Sequence, residues 1–168
     1  MDRVGVVGCG LMGSGITEVS ARAGLDVVVA ESTPGALEAG RRRLEKSLTR
    51  AEAKGKIPSA AEVLDRIHLV TDLDAMADRE IVIEAILEDE AAKIELFQRL
   101  DQIVIDPQAI LGSNTSSIPI MKLGAGTKRP SQVIGIHFFN PVPVLQLVEL
   151  VPSLLTSKET LQRSHAFV

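Results

Sequence analysis

Short apolar runs alternate with amphipathic segments along the 168 residues, and this alternation predicts strands separated by helices. Because helices follow strands one by one, the pattern favours the α/β class, with a doubly wound, mostly parallel sheet covered by helices. Strands are predicted at residues 3–7, 26–31, 67–71, 80–84, 109–112, 133–137 and 145–151. Helices are predicted at residues 14–23, from 34 to about 56, and at 90–105.

The segment between the second and third predicted strands is long and rich in charged residues. Leu37, Leu44 and Leu48 form its apolar stripe, and Ser59 and Glu62 have the spacing of a capping box that opens a second helix. A simple crossover between parallel strands does not need two helices. We therefore expect a helical arm that leaves the sheet between strands two and three.

A glycine-rich loop joins the first predicted strand to the first helix. Gly8, Gly10 and Gly13 have the Gly-x-Gly-x-x-Gly spacing, which allows a tight turn, the approach of a pyrophosphate and close packing of the helix on the sheet. The N-terminus of that helix offers free N–H groups to phosphates. Glu31 ends the next strand, where a carboxylate binds the ribose hydroxyls of an adenosine and repels a 2′-phosphate. The loop thus predicts a Rossmann-type site that prefers NAD to NADP.

Composition and charge argue against several other classes of function. The chain is 45% hydrophobic and 24% charged, as in a globular protein, and its net charge of −4 gives no basic surplus for a nucleic acid. Aromatic residues make up 2%, with no Trp or Tyr on which bases stack. No apolar stretch has the length of a membrane span, so neither a signal peptide nor a membrane partner is expected. The single Cys9 cannot form an internal disulfide, and we expect a cytoplasmic location.

Two side chains near the predicted sheet edge are candidates for proton transfer. His137 ends a predicted strand, where ligands of open α/β sheets bind, and an imidazole can accept a proton from an alcohol near neutral pH. Glu149 lies in another apolar strand, where burial without a partner is costly. If the strands are neighbours, Glu149 can orient the imidazole and favour its protonated form. Two plainer interpretations stay open: a structural role for His137 and an exposed edge-strand position for Glu149.

The other polar residues carry weaker signals. Residues 114–117 follow a strand end, where a hydroxyl can reach a substrate or a nicotinamide, although such residues commonly form polar turns. Cys9 is interpreted as a small filler in the glycine loop and not as a nucleophile. Residues 41–43, three arginines, are interpreted as a solvated helix face, and His68 and His165 as structural. No cluster of Cys, His or carboxylates has the spacing of a metal site.

Together these motifs resemble the L-3-hydroxyacyl-CoA dehydrogenase family, which includes 3-hydroxybutyryl-CoA dehydrogenases, over nearly the whole chain. The resemblance rests on Gly8-Cys-Gly-Leu-Met-Gly-Ser-Gly15, Ile83-Glu-Ala-Ile86, Ser113-Asn-Thr-Ser-Ser117 and His137-Phe-Phe-Asn-Pro-Val-Pro143. It implies that His137 is the catalytic base, that Glu149 is its partner and that Ser116 binds substrate and cofactor. It implies NAD contacts at Gly8, Gly10, Leu11, Met12, Gly13, Glu31, Ala85, Glu88, Lys93, Asn114 and Asn140. It also implies CoA contacts on the helical arm, at Ser47 and Lys54.

The resemblance further implies a reaction and a domain arrangement. The reaction is the NAD-dependent oxidation of a short-chain L-3-hydroxyacyl-CoA to the 3-ketoacyl-CoA, or its reverse. Members of the family continue into an all-helical domain that closes the cleft and forms a dimer interface. We therefore expect residues 1–152 to be the NAD-binding domain, residues 153–168 to begin the link to an absent helical domain, and the whole enzyme to be a homodimer.

Two other functions stay open on the sequence. A dehydrogenase of a sugar acid such as L-gulonate uses a related scaffold, although the arm residues Ser47 and Lys54 favour an acyl-CoA. A chain without the helical domain can also be a non-catalytic dinucleotide-binding module. Adding NAD and acetoacetyl-CoA separately distinguishes the module from the enzyme, because the module is expected to bind NAD and to show no effect of an acyl-CoA.

Overall fold

The computed structural model describes every residue from Met1 to Val168. Seven strands form one sheet: β1 (Arg3–Val7), β2 (Asp26–Ala30), β3 (Ile67–Val70), β4 (Ile81–Glu84), β5 (Ile110–Ser113), β6 (Val133–Phe138) and β7 (Val148–Pro152). Their order across the sheet is β3-β2-β1-β4-β5-β6-β7, with β1 to β6 parallel and β7 antiparallel to β6. The predicted α/β class with a mostly parallel sheet is confirmed. The strand order reverses beside β1, and ligands of such sheets bind outside the carboxyl ends of the strands at that point.

Six α-helices cover the sheet: α1 (Leu11–Arg22), α2 (Pro34–Ala53), α3 (Ala60–Leu64), α4 (Glu90–Ile103), α5 (Ile120–Ala125) and α6 (Lys158–Phe167). Side-chain oxygens of Thr33, Ser59, Asp89 and Ser157 cap the N-termini of α2, α3, α4 and α6. The sequence pattern does not predict α5, because a segment of 6 residues is too short to show a helical period. None of the helices has the length and apolar character that crossing a membrane requires.

Alternate side chains of the central strands enter two separate cores, one on each face of the sheet. Val4 and Val6 of β1 belong to a cluster of 20 buried residues that also contains Leu48 of α2. Val7 belongs to a second cluster, of 14 buried residues, with Phe97 of α4. Because both faces are buried, a shift of register by one residue would move apolar side chains to the wrong face. The two cores therefore fix where the carboxyl ends of the strands stand.

Helices α2 and α3 lie between β2 and β3, where the helical arm is predicted, and the inner face of the arm packs into the larger core. Leu44 and Leu48 are 1% and 0% exposed in the larger core, and Val63 of α3 lies in the same cluster. At Gly40 a Cβ would come within 2.5 Å of the Cys9 sulfur, so α2 approaches the glycine loop closely. The apolar stripe read from the sequence thus fastens α2 to the core, because exposing it to water would be costly.

Residues 153–168 pack on the sheet. The Thr156 hydroxyl donates to the carbonyl oxygen of Val133 at 2.7 Å, and the Thr160 hydroxyl donates to that of Ser131 at 2.8 Å. Phe167 of α6 packs against the larger core. That the same residues also begin a link to a further domain stays a prediction.

Candidate functional site

The glycine loop after β1 combines two crowded positions with one open position. Gly8 has a φ of 95°, in the left-handed region, and a Cβ there would lie 2.6 Å from the carbonyl oxygen of Ala85. A Cβ on Gly13 would lie 1.8 Å from the carbonyl oxygen of Gly8, so α1 packs against the loop only without a side chain. At Gly10 no atom lies within 4 Å of the Cβ position. The loop therefore has room for a ligand beside Gly10.

The N-terminus of α1 faces this opening. Gly10 is its N-cap, and no side chain caps the helix. The first N–H groups of α1 are therefore left to a ligand, and the positive end of the helix dipole favours an anion there. This arrangement fits the pyrophosphate of a dinucleotide.

A cleft of about 900 Å³ runs past the loop. Six of the predicted cofactor contacts line it: Gly8, Gly10, Leu11, Met12, Glu31 and Ala85. Its other walls include Asp72, which follows β3, and Arg99 of α4. The cleft thus joins the glycine loop to the carboxylate at the end of β2, the two features that bind phosphates and ribose.

Two backbone N–H groups hold the Glu31 carboxylate, one from the glycine loop and one from the residue after Glu31. Its Oε1 accepts a hydrogen bond from the Cys9 N–H at 2.6 Å, and its Oε2 accepts one from the Ser32 N–H at 3.2 Å. Burial and the charge of Glu31 raise the pKa of the Cys9 thiol to about 11, although Arg43 acts in the opposite direction. The thiol is protonated at neutral pH, which agrees with a filler and not with a nucleophile.

Arg43 has a partner that the sequence does not predict. All three arginines of residues 41–43 are exposed, as expected for a solvated helix face, but the third also contacts the glycine loop. Arg43 Nη1 donates to the carbonyl oxygen of Cys9 at 3.1 Å, 34 positions away in the sequence. The contact forms because Gly40 lets α2 pack directly against the glycine loop.

The pairing of β6 with β7 places His137 opposite Glu149. The two are register partners, and His137 Nδ1 lies 3.2 Å from Glu149 Oε2. The imidazole is 21% exposed and meets the Phe139 ring edge-on, with centroids 4.6 Å apart. The Glu149 side chain is 55% exposed, because β7 is the edge strand. The expectation of a buried carboxylate is therefore wrong, and Glu149 is both an edge-strand residue and the neighbour of His137.

This geometry decides which ring nitrogen is available. When Nδ1–H donates to the carboxylate, Nε2 of the neutral imidazole is left as a proton acceptor. The carboxylate then stabilises the imidazolium that forms when Nε2 takes a proton. The pair can therefore perform general acid–base chemistry at the carboxyl end of β6.

The loop after β5 is tied to the strand that carries His137. Asn114 Oδ1 accepts a hydrogen bond from the Phe138 N–H at 2.9 Å. Thr115 Oγ1 accepts one from the Ile118 N–H at 3.0 Å, which closes a tight turn. Ser116, between these two anchors, is exposed. The loop thus presents the Ser116 side chain outward from a fixed backbone.

A buried carboxylate, Glu84, supports this loop from below. Glu84 ends β4 and is 0% exposed. Its carboxylate accepts hydrogen bonds from the Ser113 hydroxyl at 2.5 Å and from the Ile86 N–H at 2.8 Å. Glu84 lies in one of the motifs that carry the family resemblance, but the resemblance implies no role for it. Its position gave a weak signal: Glu84 ends one strand beside β1, and Glu31 directly follows the strand on the other side, but the position does not show the contacts of Glu84.

Lys93 joins Glu84 to the loop through a second carboxylate. Its ammonium is 2% exposed and lies 2.9 Å from Glu84 Oε1 and 2.7 Å from Glu88 Oε2. Glu88 also accepts hydrogen bonds from the hydroxyls of Thr115 and Ser117. Lys93, for which the resemblance implies an NAD contact, therefore holds Glu88 in this structure, and its Nζ is enclosed by protein.

The same contacts keep Glu88 ionised. Burial acts to raise the pKa of Glu88, but the hydrogen bonds from Lys93, Thr115 and Ser117 and the Lys93 charge outweigh it, and the pKa falls to about 2. A carboxylate with such a pKa carries its charge throughout the neutral range. The segment after β4 thus holds an ionised carboxylate, paired with the Lys93 ammonium, beside the Ser116 loop.

Three predicted contacts lie apart from these clusters. Ser47 is partly exposed on α2, and Lys54 is exposed at the C-cap of that helix. Asn140 is exposed in the loop after β6. No hydrogen bond or ion pair of the site includes them, and their contacts with CoA and NAD stay predictions.

Comparison with known proteins gives consistent matches along the chain. Residues 3–168 match the family described as 3-hydroxyacyl-CoA dehydrogenase, NAD binding domain. The chain is 54% identical to 3-hydroxybutyryl-CoA dehydrogenase of Mycobacterium tuberculosis, over 99% of this chain and 59% of that protein. It is 48% identical to the probable 3-hydroxybutyryl-CoA dehydrogenase of Bacillus subtilis, over 95% and 56% respectively. The chain thus spans about three fifths of the length of these curated relatives.

Solved structures give the same answer. The crystal structure of FadB2 from M. tuberculosis superposes with a TM-score of 0.97 at 54% identity, covering 99% of this chain and 59% of the other. That of (S)-3-hydroxybutyryl-CoA dehydrogenase from Ralstonia eutropha has a TM-score of 0.95 at 41% identity, with the same coverage. The family named from the sequence and NAD as its cofactor are confirmed. This chain belongs to the NAD-binding domain family of the 3-hydroxyacyl-CoA dehydrogenases.

Proposed function

We propose that this chain binds NAD and that, in the whole protein, it serves the NAD-dependent interconversion of a short-chain L-3-hydroxyacyl-CoA and the 3-ketoacyl-CoA. The observation that carries the proposal is the His137–Glu149 pair, with Nδ1 and Oε2 3.2 Å apart at the carboxyl end of β6. A dinucleotide needs the glycine loop and Glu31, but a proton-transfer pair is needed only where chemistry occurs. The names of the relatives favour an acyl-CoA substrate over a sugar acid.

The proposed oxidation assigns a task to each side chain. His137 Nε2 accepts the proton of the substrate 3-hydroxyl, and Glu149 stabilises the imidazolium. Ser116 donates a hydrogen bond that positions the reacting oxygen. NAD supplies the acceptor for the hydride that leaves C3 of the substrate. In the reverse direction His137 returns the proton to the ketone oxygen.

The remaining contacts are proposed to bind and not to react. Gly10 and the N-terminus of α1 hold the pyrophosphate, and Glu31 accepts hydrogen bonds from the adenosine ribose. Glu88, Asn114 and Asn140 are proposed along the path to the nicotinamide. Ser47 and Lys54 are proposed to bind CoA, with Lys54 supplying positive charge for its phosphates.

A further helical domain and a homodimer are part of the same proposal. Apolar side chains stand exposed near β7: Val144 is 61%, Leu147 53% and Leu154 95% exposed. Such a patch is typical of a surface that packs against another domain. We propose that residues 153–168 lead into that domain and that the whole protein dimerises through it.

NADH oxidation by acetoacetyl-CoA tests the proposal. The assay is run on this chain and on a version extended with a helical domain, and NADH binding to each is titrated by fluorescence. We expect both proteins to bind NADH and the extended protein to turn over far faster. Binding of NADH with no effect of acetoacetyl-CoA on either protein would instead support a non-catalytic module, and full activity of residues 1–168 alone would contradict the role given to the further domain.

A further inference from the structure

We propose that Gly15 is a positioning residue for the reaction. Because it has no side chain, helix α1 lies directly against the connection between β6 and β7 (residues 139–147), and this contact sets the distance between the glycine loop and the His137–Glu149 pair. The inference rests on the proposed function and extends it to a residue to which no contact with NAD or substrate is assigned.

Gly15 stands in the second turn of α1, at a point of close approach to the connection. A Cβ on Gly15 would lie 2.7 Å from the Val142 Cβ and 3.0 Å from the Val142 Cγ2. Carbon atoms that are not bonded to each other pack at about 3.5–4.0 Å, so these distances leave no room for a methyl group. Because the nearest atom is the Val142 Cβ, which is bonded to the backbone, a different rotamer of Val142 does not relieve the overlap.

The two sides of this contact carry the two halves of the proposed site. The N-terminus of α1 faces the opening beside Gly10. The connection joins β6, which carries His137, to β7, which carries Glu149. Val142 lies within the connection and is 6% exposed in the larger core, so it anchors the connection to the core. A displacement of Val142 therefore acts on the ends of the two strands that hold the pair.

The connection, and not α1, is the side that would yield to an added methyl group. Helix α1 is held on the sheet by Ile16, which is 0% exposed in the larger core. Most of the connection is exposed. Its backbone hydrogen bonds run from the N–H groups of Val144 and Leu145 to the Pro141 carbonyl oxygen, at 2.9 and 3.0 Å, and so lie within the connection itself. A methyl group at Gly15 would thus push the connection outwards and leave the N-terminus of α1 in place.

Such a displacement should affect hydride transfer more than dinucleotide binding. Transfer requires the substrate, the dinucleotide and His137 to be aligned, and a misplacement of about 1 Å can cost about 10²-fold in rate. The dinucleotide is proposed to be held by the glycine loop, the N-terminus of α1 and Glu31, none of which lies in the connection. A loss of rate without a matching loss of NADH affinity is therefore the expected sign of a positioning role.

The test measures NADH affinity and single-turnover hydride transfer from NADH to acetoacetyl-CoA in the whole protein. The variants are Gly15→Ala, Val142→Gly, the two together, and Gly35→Ala. We expect Gly15→Ala to slow transfer by about 10–10²-fold and to change NADH affinity less than about threefold. Val142→Gly removes the Cβ that the new methyl group meets, so the double variant should be faster than Gly15→Ala alone, by about threefold or more.

Two further variants keep the test decisive. Gly35→Ala is the matched control, because it adds the same methyl group to α2, where no atom lies within 4 Å of the Cβ position. It should leave the rate of transfer unchanged. Val142→Ala, which removes the Cγ2 that would lie 3.0 Å from the new methyl group, replaces Val142→Gly if the latter does not fold.

Hydrogen exchange of this chain locates the displacement without any turnover. In Gly15→Ala the amides of Val144 and Leu145, which donate to Pro141, should exchange faster than in wild type, while the amides of α1 keep their wild-type rates. Faster exchange in α1 with no change in the connection would overturn the inference, because the helix would then be the side that yields.

The outcomes separate this inference from the proposed function. If wild type reduces acetoacetyl-CoA but Gly15→Ala keeps the wild-type rate, or the losses of the two single variants multiply in the double variant, the role of Gly15 is overturned and the proposed function stands. Equal losses of rate and of NADH affinity in Gly15→Ala overturn it too, since the dinucleotide site would then have changed. Absence of acetoacetyl-CoA reduction by wild type overturns the proposed function and this inference together.

Discussion

Two pairs of titratable side chains stand at the same rim of the sheet and differ in burial and in number of partners. The Lys93–Glu84 pair is 2% and 0% exposed, and each charge has further partners in protein. The His137–Glu149 pair has one contact of 3.2 Å, and its carboxylate is 55% exposed. Burial with full pairing fixes a charge state, whereas an accessible imidazole with one partner can gain and lose a proton. The buried pair is therefore suited to hold the site and the exposed pair to move protons.

Replacement of His137 is the strongest way to break this distinction. His137→Gln removes the proton acceptor but should leave the sheet intact, because the side chain lies at the rim. We expect single-turnover reduction of acetoacetyl-CoA by the whole protein to slow by about 10²–10⁴, with little change in NADH affinity. The matched control is His68→Gln, since His68 is 58% exposed and pairs with Asp26 away from the rim. A rate loss of the same size in both variants would contradict proton transfer by His137 and would indicate a structural role.

Lys93→Met should lower the free energy of unfolding, in contrast to the loss of rate expected from His137→Gln. The change leaves the Glu84 and Glu88 carboxylates without their shared cation, and breaking a buried pair in this way costs about 3–5 kcal/mol. The free energy of unfolding is measured with urea at pH 7. Lys122→Met is the control, because the Lys122–Glu90 pair is 51% and 44% exposed and should contribute at most about 1 kcal/mol. Equal effects from the two substitutions would show that the buried network does not hold the fold.

Glu149→Gln sharpens the comparison from the other side. The amide still occupies the place beside Nδ1 but does not stabilise an imidazolium, so the rate should fall less than in His137→Gln, by about 10² or less. The double variant should lose little more than His137→Gln alone, because the two residues act as one unit. The measurement is the single-turnover rate in both single variants and the double. A loss equal to the product of the single losses would rule out the pair as a unit.

Acid should lower the free energy of unfolding because it protonates Glu88 in the Lys93 network. The pKa of Glu88 is about 2 in the folded chain against an ordinary value of 4.5, so its stabilising contribution is complete above about pH 4.5 and is lost as the pH falls from there towards 2. Urea unfolding at pH 6, 4 and 3 should therefore show falling stability. The fall should be shallower in Glu88→Gln than in Glu90→Gln, where the exposed carboxylate is changed instead. Parallel curves would contradict the role of Glu88.

The sequence predicts the frame of the molecule well, since strands buried on both faces are recognisable from local composition. The predicted strand at residues 3–7 coincides with β1, and the loop glycines occupy the crowded and open positions that their spacing implies. What it misses depends on tertiary packing. Glu149 is exposed because β7 is an edge strand. An apolar run in the sequence does not show whether the strand it forms lies at an edge or inside the sheet.

The contacts of Arg43 and Glu84 are missed for the same reason. Arg43 reaches Cys9 only because α2 docks through Gly40, and nothing in a row of three arginines marks the third. Glu84 is the last residue of a strand of 4 residues. So short a strand does not show from the sequence whether a carboxylate at its end is buried or exposed. Local pattern thus fixes elements, while the partners of long polar side chains are set by which helices meet.

Cys9 gives the glycine loop a reporter that needs no label. It is the single cysteine of the chain, it is 0% exposed, and burial helps raise the pKa of its thiol to about 11. A thiol in this state reacts with a disulfide reagent only during the brief openings of the loop, so the reaction rate measures how often the loop opens. A dinucleotide bound across the loop lowers that frequency by a factor set by its concentration and dissociation constant. One sulfur atom therefore records both the local stability of the loop and its occupancy, in an unmodified protein.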